Sequence, residues 1–427
     1  MLRVTLNQAK PGMVLATPVH HPERPDTVLL NQGFVLDQPA LDRLGALNHP
    51  SLWIEYPELD FIAPYINHEI ANARGNVTRL LKESFAHLNE EVAAELDYSP
   101  YRATVDALIH SLLDNPRAAL SIQDLCETDD RLARHSSAVC FLSVLMGLKL
   151  GGYLIKERHR LPAHRAKDVV NLGVAAMLHD IGMRFMTPDG RKRWYETYNT
   201  DDHEWRSHTK LGFRALRGKV APSATAAILH HHQNYDGSGF PAVHIHRDHE
   251  TRPLRGDEIH IFARIISVAD LYERFRYPPG ASKPAPRVAA LHKLQQEPYW
   301  NWIDPVVFNG LLQVVPPYAP GTIVTLSDGK RAAVARWLPE APCRPRVLLL
   351  EEHDMSRTRV WARKDQFFID LRDRPDLHIA EVDGCDVSAF NFDPPPSYST
   401  HEPGWHKVPE PTDDQMSPAE TQELDAA

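Results

Sequence analysis

From Tyr101 to Val315 the apolar residues recur at helical spacing, and strand signals are scarce. The segments VDALIHSLLDN, AVCFLSVLMGLKL, VVNLGVAAMLHDIGM, ATAAILHHH and EIHIFARIISVADLYERF all follow this pattern, so the region reads as an all-α domain. Within or beside these apolar runs stand side chains that an apolar core does not favour: His135, His179, Asp180, His208, His231, His232 and Asp270. A buried imidazole or carboxylate needs a partner. Histidine nitrogens and carboxylate oxygens suit first-row transition metals, and one shared carboxylate can bridge two ions.

At 427 residues the chain exceeds one ordinary core, and two or three domains are expected. A hydrophobic fraction of 43% and a charged fraction of 24% are those of a soluble globular protein. A net charge of -9 argues against a broad DNA-binding face, although basic residues cluster locally in KRW and RALRGK. Cys126, Cys140, Cys343 and Cys385 show no paired metal or redox spacing, so a reducing cytoplasm is the expected home. The opening MLRVTLNQAKPGM lacks a secretory pattern. The apolar run Ala138 to Ile155 is interrupted by Lys149 and by Gly151-Gly152, and reads as a buried helix, not a membrane span.

Outside the helical region the patterning changes. Residues 1–62 alternate short apolar runs with Pro and Gly, the language of a small β-rich domain with one helical insertion. Residues 63–100 read as a charged connecting helix, and 101–315 as the helical domain. Strand patterning returns in 316–390, for which a small antiparallel β-barrel is expected. The tail 391–427 is Pro-rich, acidic and poor in aliphatics, a composition that predicts disorder. The fold class is therefore multidomain, a central all-α bundle flanked by small β-rich N- and C-terminal domains.

Taken singly, each candidate ligand has an ordinary alternative. His135 suits a hydrogen-bonded core histidine, His208 a surface histidine and Asp270 a helix cap or an arginine partner. The histidine run ending at His232 suits a solvated turn, and the histidines of VHIHRDHETR suit a solvated loop. Only order and context tie the seven together.

That order resembles the HD-GYP family, a branch of the HD phosphohydrolase superfamily associated with hydrolysis of cyclic di-GMP. The resemblance runs through HSSAV, LHDIG, HTKLG, HHQNYDGSGFP and ARIISVAD, and extends to IDPVVFNGLL. It implies that His135, His179, Asp180, His208, His231, His232 and Asp270 ligate two divalent ions, iron or manganese, with Asp180 bridging. A metal-activated water would then attack phosphorus. It further implies roles in catalysis for Asp180 and Arg184, and in substrate binding for Asp236, Gly239, Phe240, Pro241 and Arg264. A cyclic dinucleotide is the implied substrate. Signalling proteins docking on the β domains or the Gly239-Phe240-Pro241 loop are the implied partners.

Several positions depart from the family pattern. Met183 stands where a lysine usually follows HDIG, with Arg184 next to it. Gln233 replaces a glutamate, Phe240 the signature tyrosine, and LYERFRYPPG an Asp-Ala-Leu-Thr and Arg-Pro-Tyr segment. Arg131 occupies the place of the extra carboxylate used by relatives with a third metal, which favours two ions. The alternative implied by these departures is a catalytically weak or inactive module that binds nucleotide or protein partners.

Overall fold

The computed structural model describes residues 1–21, 24–47, 49, 51–66, 68–86, 97–115, 130–245, 250–281, 283–350 and 367–394. After α1 (Gln38–Ala46), the helical core comprises α2 (His68–Ala86), α3 (Ser99–Asp114), α4 (Arg131–Lys149), α5 (Gly151–Glu157), α6 (Ala163–Ala166) and α7 (Val170–Leu178). It continues through α8 (Pro188–Thr197), α9 (His203–Arg206), α10 (His208–Leu216), α11 (Pro222–His230), α12 (Ile261–Arg276), α13 (Arg287–Leu294), α14 (Tyr299–Trp302) and α15 (Pro305–Leu312). The expected helical domain is present.

Two helices carry the centre of this core. In α4 the Asp130 carboxylate caps the first turn, accepting from the backbone N–H groups of Leu132 at 3.0 Å and Ala133 at 3.1 Å. Every residue from Ser136 to Gly147 is buried, so this helix is apolar nearly all round and lies inside the bundle. It ends at Leu150 and the chain bends by 84° into α5, where Tyr153 and Leu154 are buried and Ile155 is exposed. No single described helix is long and apolar enough to cross a membrane. The second central helix, α12, is buried on all sides and packs against α4, α11, α13 and α15.

The β regions differ from the sequence expectation in two respects. The C-terminal strands β1 (Ile323–Leu326), β2 (Arg331–Arg336), β3 (Arg346–Leu349), β4 (Phe368–Asp370), β5 (Ile379–Val382) and β6 (Cys385–Asp386) form one antiparallel sheet. Its order is β4-β3-β2-β1-β5-β6, so among the described residues it is open at both edges and not a closed barrel. Nor does each β region keep a core of its own. Leu2, Val4, Leu15, Leu52 and Ile54 of the N-terminal region cluster with Ile323, Ala333, Ala335 and Leu348 of the sheet. The Arg3 N–H donates to the Gly321 carbonyl at 2.9 Å, and the Arg3 guanidinium pairs with Asp383 at 2.7 Å. Such short segments bury little apolar surface alone, and joining them enlarges the shared core.

The packed chain continues slightly beyond residue 390. Asn391 accepts from the Tyr318 hydroxyl at 2.8 Å, and Phe392 packs on the core. The rest of the expected disordered tail, 395–427, lies outside the described residues. So do residues 87–96 of the expected connecting helix and 246–249 of the VHIHRDHETR loop.

Candidate metal centre

Five separate elements deliver the seven candidate ligands. His179 and Asp180 follow the C-terminus of α7, His208 begins α10, and His231 and His232 follow α11. His135 projects from α4 and Asp270 from α12. The turn after α7 is a short 3-10 helix, Ile181–Phe185, and it lies directly on α10. A Cβ on Gly182 would sit 1.9 Å from the His208 carbonyl oxygen, so only glycine permits this approach. Arg191 braces the same turn by donating to the carbonyls of Met183, Arg184 and Met186 at 3.4, 3.1 and 2.8 Å.

The ligand atoms converge in two groups that share one carboxylate. Asp180, His208, His231 and His232 form one group; His135, His179 and Asp180 form the other. Within each, the candidate atoms lie within 4.8 Å of one another. Asp180 Oδ1 is 3.2 Å from His208 Nε2 and 3.6 Å from His231 Nε2, while Oδ2 is 3.5 Å from His179 Nε2 and 3.7 Å from His135 Nε2. Asp270 joins the edge of the cluster, 3.1 Å from His135 Nε2 and 3.8 Å from His232 Nδ1, and is held by Arg274 at 2.7 Å.

Backbone carbonyls select the tautomers. His179 Nδ1 meets the Ala176 carbonyl at 2.8 Å, His231 Nδ1 meets that of Ile228 at 2.8 Å, and His208 Nδ1 meets that of Trp205. A carbonyl only accepts, so each Nδ1 carries a proton and, in the neutral ring, each Nε2 offers a lone pair. His179 Nε2 is buried without a hydrogen-bond partner. Lone pairs facing a carboxylate across a dry site need a cation between them, and this donor set fits first-row divalent metals.

The electrostatics agree. Burial lowers the pKa of His179 to about 4 and pushes that of His232 well below its ordinary value, which keeps both rings neutral. Burial opposes ionisation of Asp180, but the surrounding histidines, His179 foremost, hold its carboxyl well below the usual range. Asp270 behaves likewise: against the effect of burial, Arg274 and His135 bring it down to about 2. For His135 burial is outweighed by Asp270, and its pKa is raised.

The remaining candidate residues divide. Phe240 lies against the centre, stacked on the His232 ring at 4.9 Å between centroids. The backbone around Gly239 leaves no room for a side chain, since a Cβ there would fall 2.3 Å from the Asn234 nitrogen. Pro241 is anchored by Gln233, whose amide donates to the Pro241 carbonyl at 2.6 Å and accepts from the Leu254 N–H at 2.8 Å. Asp236 is exposed and shapes its own turn, accepting from Ser238 N and Oγ at 2.8 and 2.6 Å.

Arg184 and Arg264 are not brought to the centre. The Arg184 guanidinium donates to the Phe85 carbonyl of α2, because the 3-10 turn places Met183 in the core and directs residue 184 to the other side. Arg264 is buried with Glu157, Asp304 at 2.7 Å, the Tyr153 hydroxyl at 2.8 Å and the Ile259 carbonyl at 3.0 Å. Its donors tie α12 to α5 and the start of α15.

A cavity opens onto His135, Asp180, His232 and Asp270, and its walls were not anticipated from the sequence. They include Arg134, Arg274, Trp194, Tyr195, Tyr198 and Tyr277. The signal was present as RKRWYETY between the second and third motifs, a cluster of basic and aromatic residues at helical spacing. Trp194 stacks on Trp205 at 3.9 Å, and Trp205 in turn contacts His208 and His232, so α8 and α9 form an aromatic wall beside the ligands.

Residues 154–307 match the family described as HD domain, which is predominantly helical here, with one short antiparallel hairpin of Val243–Ile245 and Glu250–Arg252. The chain is 28% identical over 249 residues to the cyclic di-GMP phosphodiesterase PA4108 of Pseudomonas aeruginosa, covering 57% of this chain and 53% of that protein. It is 29% identical over 201 residues to a probable cyclic di-GMP phosphodiesterase of Vibrio cholerae, covering 39% and 43%. A 3'3'-cGAMP-specific phosphodiesterase 3 from the same species is 30% identical over 156 residues, covering 34% of this chain and 29% of the relative. The chain thus spans about half or less of the length of these curated relatives. Among solved structures, Bd1817, an HDG"Y"P protein from Bdellovibrio bacteriovorus, aligns with a TM-score of 0.42 and 15% identity, covering 73% of this chain and 97% of that one.

The matched region is an HD domain, and its similarity to these curated relatives supports the HD-GYP branch for it.

Proposed function

We propose that the protein is a metal-dependent phosphodiesterase that cleaves cyclic di-GMP or a related cyclic dinucleotide at a dinuclear centre of iron or manganese. The observation that carries this reading is the position of Asp180, whose two oxygens belong to two different ligand groups. His179, His208 and His231 would present Nε2 to the ions, His135 and His232 would complete the two groups, and Asp270 would close the edge. Such a pair of ions supplies Lewis acidity for the phosphate oxygens and brings the pKa of water toward neutrality.

The chain's own residues then do the rest. The carbonyl partners hold three imidazoles in the ligating tautomer, Arg274 keeps Asp270 ionised and oriented, and Phe240 and Trp205 exclude water from one side. Protein loaded anaerobically with iron or manganese should convert cyclic di-GMP to the linear dinucleotide or mononucleotides. Loaded protein that leaves cyclic di-GMP and cyclic GMP-AMP intact would sink the reading.

A second reading, a nucleotide- or protein-binding module with little turnover, is favoured by Met183 and Arg184. Neither presents a cation to the centre, since Met183 is buried in the core and Arg184 is bound to Phe85. Binding of cyclic di-GMP without cleavage by the loaded protein separates the two. Both readings place the protein in cytoplasmic signalling, with the β regions and the Gly239-Phe240-Pro241 loop as the surfaces offered to signalling partners.

A further inference from the structure

A phosphodiester brought to this centre needs counter-charge beyond the ions, and the side chains after the HDIG motif do not supply it. On the opposite wall, Arg131 and Arg134 lie three residues apart on α4, and His135 follows within the same turn, so the three share one face. Both arginines line the cavity that reaches His135 and Asp180. Arg274, also in the wall, is already committed to Asp270.

Arg131 and Arg134 are not so committed. Arg131 lies over the Tyr195 ring at 4.7 Å, with one nitrogen 3.5 Å from the Tyr198 hydroxyl. Arg134 lies over the Tyr277 ring at 4.5 Å, and its Nε is shielded from solvent without a hydrogen bond. Among the described residues, neither guanidinium makes a salt bridge with a carboxylate, and the nearby Glu273 in the same wall interacts with Arg134 only electrostatically. Two half-buried like charges one turn apart repel each other, and an anion between them removes that repulsion.

We propose that Arg131 and Arg134 form the phosphate-binding clamp of the cavity, taking the place of the cation missing at Met183. The clamp rests on the phosphodiesterase reading for its substrate, a cyclic dinucleotide. Guanidinium forks match phosphate oxygens two at a time, and the tyrosine rings behind them fix the planes of both forks. These are binding and positioning residues; the reacting atoms lie at the ions.

The test uses full-length Arg131→Ala, Arg134→Ala and Arg134→Lys proteins, with metal content measured in each. With the loaded enzyme and cyclic di-GMP, each alanine variant should raise KM by about ten-fold or more while kcat changes by less than about three-fold. Arg134→Lys should recover part of the loss, and the salt dependence of KM should be weaker in both alanine variants. Calorimetry on chelator-treated protein gives a readout without turnover: cyclic di-GMP affinity should fall by a similar factor. Wild-type protein that binds or cleaves cyclic di-GMP, with variants indistinguishable from it, overturns the clamp and leaves the phosphodiesterase reading standing. If the wild type neither binds nor cleaves, that reading fails, and inorganic phosphate becomes the probe. Phosphate binding lost in the alanine variants then upholds the clamp, and phosphate binding that is absent or unchanged overturns it.

Discussion

His208 and His231 face each other Nε2 to Nε2 at 3.3 Å, and each has its other ring nitrogen occupied by a backbone carbonyl. Two neutral rings held this way point lone pair at lone pair, which is unfavourable in a dry interior unless a cation lies between them. The Asp180 carboxylate completes the same group from the side. Tautomer, burial and spacing together give this cluster a donor set that could hold a metal ion.

Asp180 is the one residue common to both groups, so its loss should cost more metal than the loss of any single histidine. Asp180→Ala is expected to reduce bound iron or manganese from two ions per chain to fewer than one, whereas His135→Ala should retain one. Elemental analysis of anaerobically purified protein checks this. Equal metal content in the two variants would contradict the shared-carboxylate arrangement.

Restoring a lysine after HDIG should not restore a phosphate contact. Met183 is fully buried within the apolar core. Met183→Lys would bury an amine without a partner, with a stability loss of roughly 3 kcal/mol or more. Denaturant melts should show a clear drop and assays no gain in activity. A stable variant with faster turnover would show that residue 183 can reach the cavity.

Gly182 controls how closely the HDIG turn approaches α10. In Gly182→Ala the new methyl would meet the His208 carbonyl, and the turn must move away from it. The expected result is a stability loss of about 1–3 kcal/mol together with weaker metal retention, because Asp180 moves with the turn. Thermal melts and metal content report the two effects separately, and retention of both would show that the contact yields without shifting the ligands.

Acid should destabilise the metal-free protein through its buried neutral histidines. Burial brings His179, His230 and His260 to about 4 and His232 well below its ordinary value of 6.5. Each takes up a proton on unfolding between its folded and unfolded values, so its contribution is complete above 6.5 and declines as pH falls toward 4. His135 acts oppositely: burial is outweighed by Asp270, its pKa is raised, and its contribution is lost as pH rises through the folded value. Buried Glu273, its pKa raised by burial, acts in the same sense as His135, so four groups stand against two and give a net loss on acidification, at up to about 1.4 kcal/mol per pH unit for each fully titrating group. Urea melts of chelator-treated protein at about pH 7 and about pH 5 should differ accordingly. Flat or rising stability toward acid would contradict the burial of these rings.

Much of the centre was legible in the order of its residues. Helical spacing located α4, α7, α11 and α12, and HDIG, the double histidine and Asp270 fell at the ends or in the middle of those helices. These are local properties, set by side-chain periodicity and by glycine at tight turns, so a linear reading captures them. What it could not capture was direction. Arg184 stands beside the HDIG motif yet binds Phe85, and Arg264 stands in the ARIISVAD motif yet pairs with Asp304.

The sequence by itself therefore determined the helical class and the types and order of the candidate ligands. Only the tertiary structure decided that Asp180 joins two ligand groups, that α4 brings two uncommitted arginines to the cavity, and that the terminal β regions share one core. The physical reason is that side-chain direction and distant pairing depend on which helix faces and strands pack together. Packing of that kind joins residues far apart in the chain, and no local spacing records it.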